Sequence, residues 1–289
     1  HPIPRRQRQM CIRDSIQMAT RSALINVMHK AATAASRGML RDFGEVENLQ
    51  VSRKGPADFV SRADTNAERV IKSELQKARP DWGFVMEESG YVDGADPDDP
   101  LWIVDPLDGT TNFLHGIPHF AISIAVKDKG KITAALVFDP LRHEYFFAEA
   151  GQGAFVNDRR LRVSGRRNMA DSLFATGIPF LGHGDAAEHT KFGNELRKIM
   201  AVSAGVRRFG SAALDLAYVA AGRYDGFWER GLNSWDIAAG ILLVREAGGF
   251  VSDFASRDRA LHSGDVVAAN PSIHAELLKC LNATTADRA

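Results

Sequence analysis

The densest chemistry in the sequence lies in the segment Trp102-Ile103-Val104-Asp105-Pro106-Leu107-Asp108-Gly109-Thr110-Thr111-Asn112. An apolar run ends at Asp105 and reads as a strand that delivers this carboxylate to its C-terminal edge, where α/β proteins place their sites. Pro106 fixes φ and turns the chain, bringing Asp108 back beside Asp105 with the Leu107 carbonyl between them. Two carboxylates and a carbonyl aimed at one point form hard oxygen ligation suited to Mg²⁺. Gly109 lets another group approach the backbone, and Thr110 and Thr111 offer hydroxyls and N–H groups at a helix start, a ready anion site. Metal ligands running into a phosphate cradle suit phosphoryl transfer. The same residues also allow a plain Asp-Pro turn with capping Asp and Thr.

Other polar residues are ambiguous alone. Glu87-Glu88-Ser89 follows a short apolar run, and adjacent carboxylates are commonly just solvated. Asp236 opens a helix after Asn233-Ser234-Trp235, where an acid serves the dipole and the cap. Asp58 and Asp64 flank Phe59-Val60-Ser61, again with capping as the default. His115 and His119 read as ordinary loop histidines, because Mg²⁺ prefers oxygen. Arg159, Arg160, Arg162, Arg166 and Arg167 read as a hairpin rim or as a surface for an RNA or protein partner. Phe227 and Trp228 suit a core or a dimer interface, and Cys280 a plain helix position.

The elements that must position these residues follow from periodicity. Apolar residues at three- and four-residue steps predict helices over 22–44 and 64–78, the second capped by Asp64 or Thr65 with Glu68 reaching back. Short apolar runs predict strands at 83–86 and 101–104, and a hairpin of 120–127 with 131–138 around Asp128-Lys129-Gly130. The meander continues at 145–148 and 154–157, and the loop 92–100 is the most exposed insertion. Strands at 173–177, 206–209, 226–229, 250–253 and 266–269 then alternate with helices at 186–203, 211–221, 235–247 and 273–281. Such alternation favours a layered α/β architecture.

Composition narrows the class further. The chain has 289 residues, 45% hydrophobic and 25% charged, the proportions of a folded globular protein large enough to need no staples. Lys+Arg and Asp+Glu both number 36, so the zero net charge suggests no general role on nucleic acid or anionic membrane. The 2 cysteines, Cys11 and Cys280, form no CxxC or Cys/His cluster, which argues against zinc or a disulfide framework and fits a reducing compartment. Apolar runs such as 237–244 are too short to cross a bilayer, and no secretory signal is recognisable; the expected location is cytoplasmic. Residues 1–21, basic and aperiodic at the start, are expected to be a non-native or disordered leader.

The segment from Trp102 to Asn112 closely resembles the first signature of the inositol monophosphatase family. Trp235-Asp236-Ile237-Ala238-Ala239-Gly240, followed by Glu246-Ala247-Gly248-Gly249, resembles the second. Ala57-Asp58-Phe59-Val60-Ser61 with Asp64, and Glu87-Glu88-Ser89, match two further stretches in the same order. The likeness runs from about Ser22 to about His274, and the bacterial SuhB-type branch is the most similar. It implies the layered α-β-α-β-α sandwich of the sugar-phosphatase type, in two closely packed lobes, 22–158 (metal-binding, α+β) and 159–289 (α/β). Together these make one family-type domain of about 22–275.

The resemblance also implies roles. Glu87, Asp105, the Leu107 carbonyl and Asp108 match metal ligands, with Asp105 bridging two Mg²⁺ ions. Asp236 matches a ligand of the second ion that also lies near the sugar hydroxyls, and Asp64 a position linked to a weaker third. Thr110, with Glu87, matches the group that activates the attacking water. Gly109, Thr110 and Thr111 match the phosphate cradle; Glu229 matches a contact to substrate hydroxyls, and Arg207, Ser211 and Ala212 a substrate-side wall. The implied reaction is two-metal hydrolysis of myo-inositol monophosphate or a related sugar-alcohol phosphate without a phosphoenzyme. Fructose 1,6-bisphosphate, histidinol phosphate and 3′-phosphoadenosine 5′-phosphate are alternative substrates. A different role, as a SuhB-like subunit of an RNA or transcription complex, would use the arginines at 159–167. A homodimer and Li⁺ sensitivity are expected from the likeness alone. One departure is Met86, where the family usually has Gly before the Glu pair; it is expected to narrow or stiffen that loop.

Overall fold

Apolar residues on both faces of one strand set the layering. Trp102 and Val104 point to one side of Leu101–Asp108 and Ile103 to the other, and none is more than 3% exposed. A strand buried on both faces needs cover on both. The computed structural model describes residues 21–45, 51–53, 59–96, 98–179 and 184–283; the leader before Arg21, Cys11 and Asp58 lie outside them.

The first half of the chain supplies α1 (Ala23–Phe43), β1 (Val51–Arg53), β2 (Phe59–Ser61), α2 (Arg62–Ala78), β3 (Gly83–Met86), β4 (Gly90–Val92), β5 (Leu101–Asp108) and α3 (Thr110–Leu114). It continues with β6 (Ala121–Asp128), β7 (Lys131–Asp139), β8 (Glu144–Glu149), β9 (Gly153–Val156) and β10 (Arg159–Arg160). The second half supplies β11 (Leu173–Thr176), α4 (Ala186–Met200), β12 (Gly205–Arg207), α5 (Ala212–Ala220), β13 (Gly226–Glu229) and α6 (Ser234–Glu246). It ends with β14 (Phe250–Ser252), α7 (Ala260–Ser263), β15 (Val266–Ala269) and α8 (His274–Asn282).

Three apolar clusters define five layers. α1 and α2 cover Trp102, Val104, Ile124 and Leu136 on one face of the 8-stranded sheet, ordered β10-β9-β8-β7-β6-β5-β3-β4. α5 and α6 fill the space between its other face (Ile103, Ala125, Val137, Phe146) and the inner face of a 5-stranded sheet (Ala175, Phe227, Ala268). That second sheet, ordered β12-β11-β13-β15-β14, turns Phe174, Trp228 and Val267 outward onto Ile199 of α4 and Leu277 of α8. The α-β-α-β-α order is the expected one. Phe227 and Trp228, 0% and 1% exposed, are core residues of opposite faces. Among the described residues no helix is long and apolar enough to cross a membrane.

Local chemistry explains the boundaries. The Ser22 hydroxyl accepts the Ile25 N–H at 3.1 Å and caps α1. Lys129 and Gly130 take φ of 47° and 79°, so the β6–β7 hairpin turns on two left-handed residues whose twist matches the strands. Three expectations are corrected. α2 begins two residues before Asp64, and Glu68 reaches across to the Glu88 and Ser89 N–H groups instead of back to a cap. The strand at 101 does not stop at Asp105 but continues through a bulge to Asp108. The insertion expected at 92–100 begins inside β4, which pairs with β3.

The central helical layer leaves no spare volume. A Cβ on Gly240 of α6 would lie 2.5 Å from the Leu216 Cβ of α5. Gly240→Val should therefore destabilise the protein by about 1–3 kcal/mol, read as a lower urea midpoint at unchanged m-value.

Candidate functional site

Two parallel strands end side by side in the large sheet. Met86 of β3 lies opposite Val104 of β5, and the Glu87 N–H donates to the Val104 carbonyl at 3.3 Å. Glu87 and Asp105 thus leave adjacent carboxyl ends together. Met86 itself is buried in the α1/α2 cluster, so its side chain fills the core and does not line the loop. Glu68, one turn along α2 from Asp64, accepts N–H bonds from Glu88 and Ser89 at 2.8 and 3.0 Å and a bond from the Ser89 hydroxyl. That clamp holds the Glu87-Glu88 turn over the start of α2, where carboxylate oxygens of Asp64, Glu87 and Glu88 lie within 4.8 Å of one another.

β5 then bulges. Asp105 opposes Ser123 of β6 and Asp108 opposes Ala121, three steps on one strand against two on the other. Pro106, with no N–H to lose, sits in the irregular stretch. The Leu107 N–H folds back onto an Asp105 oxygen at 2.9 Å, and the Thr110 hydroxyl lies 3.0 Å from the Leu107 carbonyl and 3.4 Å from an Asp64 oxygen. The bulge therefore gathers Asp105, the Leu107 carbonyl, Thr110 and Asp64.

The second half of the chain contributes through helix starts. The Ser123 hydroxyl, on the strand position facing Asp105, donates to the Trp235 carbonyl at 3.2 Å. This bond seats the first turn of α6 on the sheet and brings Asp236 with it; one Asp236 oxygen accepts the Asn233 N–H at 2.7 Å. Asp108 Oδ2 accepts the Ser211 hydroxyl and the Ala213 N–H at the start of α5, favourable for an anion. Glu229 ends β13 against Gly177, where a Cβ would sit 1.7 Å from the Glu229 Oε1.

The remaining sequence-predicted residues differ in setting. Gly109, with φ of 98°, has no room for a Cβ, which would meet the His119 carbonyl at 3.0 Å. Thr111 is exposed in the first turn of α3, and Ala212 opens α5. Arg207 is exposed on the edge strand β12, its guanidinium on the Val206 carbonyl; the neighbouring Arg208 is the cation that acts on Glu229 and Asp215. His119 is buried against Phe209 and Tyr218, and burial pushes its pKa down to about 4, which keeps it neutral. Among residues with no sequence signal of their own, Asp215 stands out: it is 1% exposed on α5, and its Oδ1 has no hydrogen-bond partner.

The electrostatics are those of crowded acids. Burial raises the Asp105 carboxyl well above the usual range, and Glu87, Asp108, Asp236 and Asp64 raise it further. Asp236 is raised by burial, then by Asp108. Burial lifts Asp108 to about 6 against the opposing Ser211 and Ala213 bonds. Glu229 reaches about 8 through burial and the Asp108 charge, with Arg208 opposing. An all-oxygen donor set whose members repel one another fits a hard divalent cation, which would remove that repulsion.

The inositol monophosphatase family model matches residues 20–286. The inositol-1-monophosphatase of Mesorhizobium japonicum is 59% identical over 261 residues, 90% of this chain and 97% of that protein. The Nus factor SuhB of Pseudomonas aeruginosa is 46% identical, covering 88% of this chain and 94% of its own. The chain belongs to the inositol monophosphatase family. The crystal structure of the extragenic suppressor protein SuhB from Bartonella henselae superimposes with a TM-score of 0.87 at 55% identity, over 90% of this chain and 99% of that one.

A pH dependence follows from the raised carboxyls. Groups whose folded pKa exceeds the unfolded value bind extra protons in the folded state, so stability is lost as pH rises between the two values. Without metal, the melting temperature should fall as pH rises from about 4 through the 6 of Asp108 to the 8 of Glu229. Saturating Mg²⁺ should flatten that fall and raise the melting temperature at pH 8, as a stabilisation of about 2.7 kcal/mol at one hundred times Kd requires. A scanning-fluorimetry series with and without EDTA reads both effects.

Proposed function

We propose that this protein is a Mg²⁺-dependent phosphomonoesterase that hydrolyses myo-inositol monophosphate or a closely similar sugar-alcohol phosphate. The observation that carries the reading is the crowding of acids from separate segments: oxygens of Asp64, Glu87 and Glu88 lie within 4.8 Å of one another, and Glu87, Asp108, Asp236 and Asp64 all act on the buried Asp105. Family membership and the 59% identity to an inositol-1-monophosphatase support it.

Glu87, Asp105, the Leu107 carbonyl, Asp108 and Asp236 would hold two Mg²⁺ ions, with Asp64 beside a weaker third. Bound there, such ions would lower the pKa of a water and would stabilise charge on a departing alkoxide. Thr110 and Glu87 would orient an attacking water in line with phosphorus. The N–H groups of residues 109–111 hold phosphate oxygens. Glu229 and Asp236 accept hydrogen bonds from ring hydroxyls, and Ser211 and Ala212 at the start of α5 form the substrate-side wall, with Arg207 set apart on the edge strand.

The test is a panel of esters compared by kcat/KM: myo-inositol 1-phosphate should lead fructose 1,6-bisphosphate, histidinol phosphate and 3′-phosphoadenosine 5′-phosphate. EDTA should abolish turnover and Mg²⁺ restore it. Asp105→Asn should cost about 10³-fold or more in kcat, and Thr110→Ala about 10²- to 10⁴-fold. Turnover that survives EDTA, or a fully active Asp105→Asn variant, refutes the metal mechanism.

A second reading rests on the relatives named Nus factor SuhB and on the arginine strip. Arg159, Arg160, Arg162, Arg166 and Arg167 are all exposed, with Arg166 paired to Asp225 at 3.4 Å. The strip is a surface for an RNA or transcription partner. Arg→Glu at 159, 160, 162 and 167 should remove salt-dependent binding to RNA or a transcription complex and leave hydrolysis unchanged. Binding that survives the reversal rules the strip out.

A further inference from the structure

One buried amide closes the site from behind. Asn112, in α3, is 5% exposed. Its Nδ2 donates to the His119 carbonyl at 2.8 Å and the Phe209 carbonyl at 2.7 Å, and lies 3.3 Å from the Gly210 carbonyl. The orientation of the amide is fixed by these contacts, since a flipped side chain would turn its oxygen onto carbonyls. The partners come from the entrance to β6 and from the turn that opens α5, 97 residues further along the chain.

The same two segments are joined at a second point. Asp108 accepts the Ser211 hydroxyl and the Ala213 N–H, so residues 108–112 and 209–213 are tied at both ends, acid to helix start and amide to carbonyls. Gly210 allows the closure with φ of 80°, and a Cβ there would lie 3.5 Å from the Asn112 Nδ2. The His119 carbonyl that accepts from Asn112 also packs against Gly109, between Asp108 and Thr110. The segment from Asp108 to Asn112 is thereby held from outside at both ends and at Gly109.

We infer that Asn112 is a positioning residue that fixes Asp108 and Thr110 by clamping their turn to the start of α5. The inference rests on the proposed metal-dependent reading of this site. A loosened clamp lets Asp108 follow α5 away from Asp105 and lets the Thr110 hydroxyl wander, while every proposed ligand remains in the sequence. The side chain reaches neither ligand directly, so its effect must show as misplacement. Asparagine suits the position because it alone among residues of its volume carries two protons for carbonyl acceptors; aspartate has none to give.

The experiment measures Mg²⁺ binding by calorimetry without substrate, and kcat and KM with it, for the parent, Asn112→Ala, Asn112→Asp, Asn112→Ser and Ser211→Ala. Circular dichroism and thermal melts score folding. Folded Asn112→Ala and Asn112→Asp should bind Mg²⁺ about 10- to 100-fold more weakly and lose kcat by a similar factor with KM little changed. Asn112→Ser, which keeps one donor, should lie between them and the parent, and it decides the matter if the other two do not fold. The double variant of Asn112→Ser with Ser211→Ala should lose less than the product of the single losses, because both ties hold the same pair of segments. A folded variant that melts earlier yet keeps the parent's Mg²⁺ affinity and kcat overturns the inference and leaves the hydrolase reading standing. A parent that binds Mg²⁺ but hydrolyses no ester overturns the hydrolase reading, and calorimetry still decides the role of Asn112. A parent that binds no Mg²⁺ overturns both.

Discussion

Like charges brought together in a place with little water cost free energy, and the site of this protein is organised around that cost. Asp105 is nearly inaccessible, yet Glu87, Asp108, Asp236 and Asp64 all act on it. No arrangement of exposed loops would hold these groups together against their repulsion. Each acid is instead anchored by something rigid: a strand end, a bulge, a helix start. Their partners are neutral donors, namely the Ser211 hydroxyl and the Leu107, Ala213 and Asn233 N–H groups. They orient the carboxylates without neutralising them, which leaves the negative charge for a cation to collect.

The layers make this anchoring possible. The large sheet contributes two parallel strand ends, and the helices between the sheets contribute their starts. Asp236 and Asp108 are held at helix starts whose partial positive charge offsets part of the burial. Glu229 and Asp215 lie in reach of the Asp108 charge and of Arg208. The crowded acids therefore come from both halves of the chain.

Much of this was legible in the residues, for identifiable reasons. Strands 83–86, 226–229 and 266–269 end where turn formers end their apolar runs, and the elements of the second half alternate regularly enough to give the layers. The bulge after Asp105 was not legible, because Pro106 reads equally as a turn outside a strand and as an irregular residue within one; the pairing of β6 decides it. Glu68 looked like a cap because spacing along a helix says nothing of a loop 20 residues away. Arg207 and Arg208 are indistinguishable as neighbours in sequence; both are exposed, and only the path of the chain leaving β12 brings the charge of Arg208 to bear on Glu229. Asp215 carries no motif at all; its signal is an acid within the apolar run of α5.

The helices shared between the two sheets have a consequence for synthesis. The strands β5 to β9 are complete once residue 156 has been made, but the face carrying Ile103, Ala125, Val137 and Phe146 is covered by α5 and α6, which arrive only after residue 211. At typical translation rates of about 5–20 residues per second, that apolar surface stays bare for several seconds while the chain lengthens. The nascent protein passes through that interval with one face of its large sheet still open to solvent.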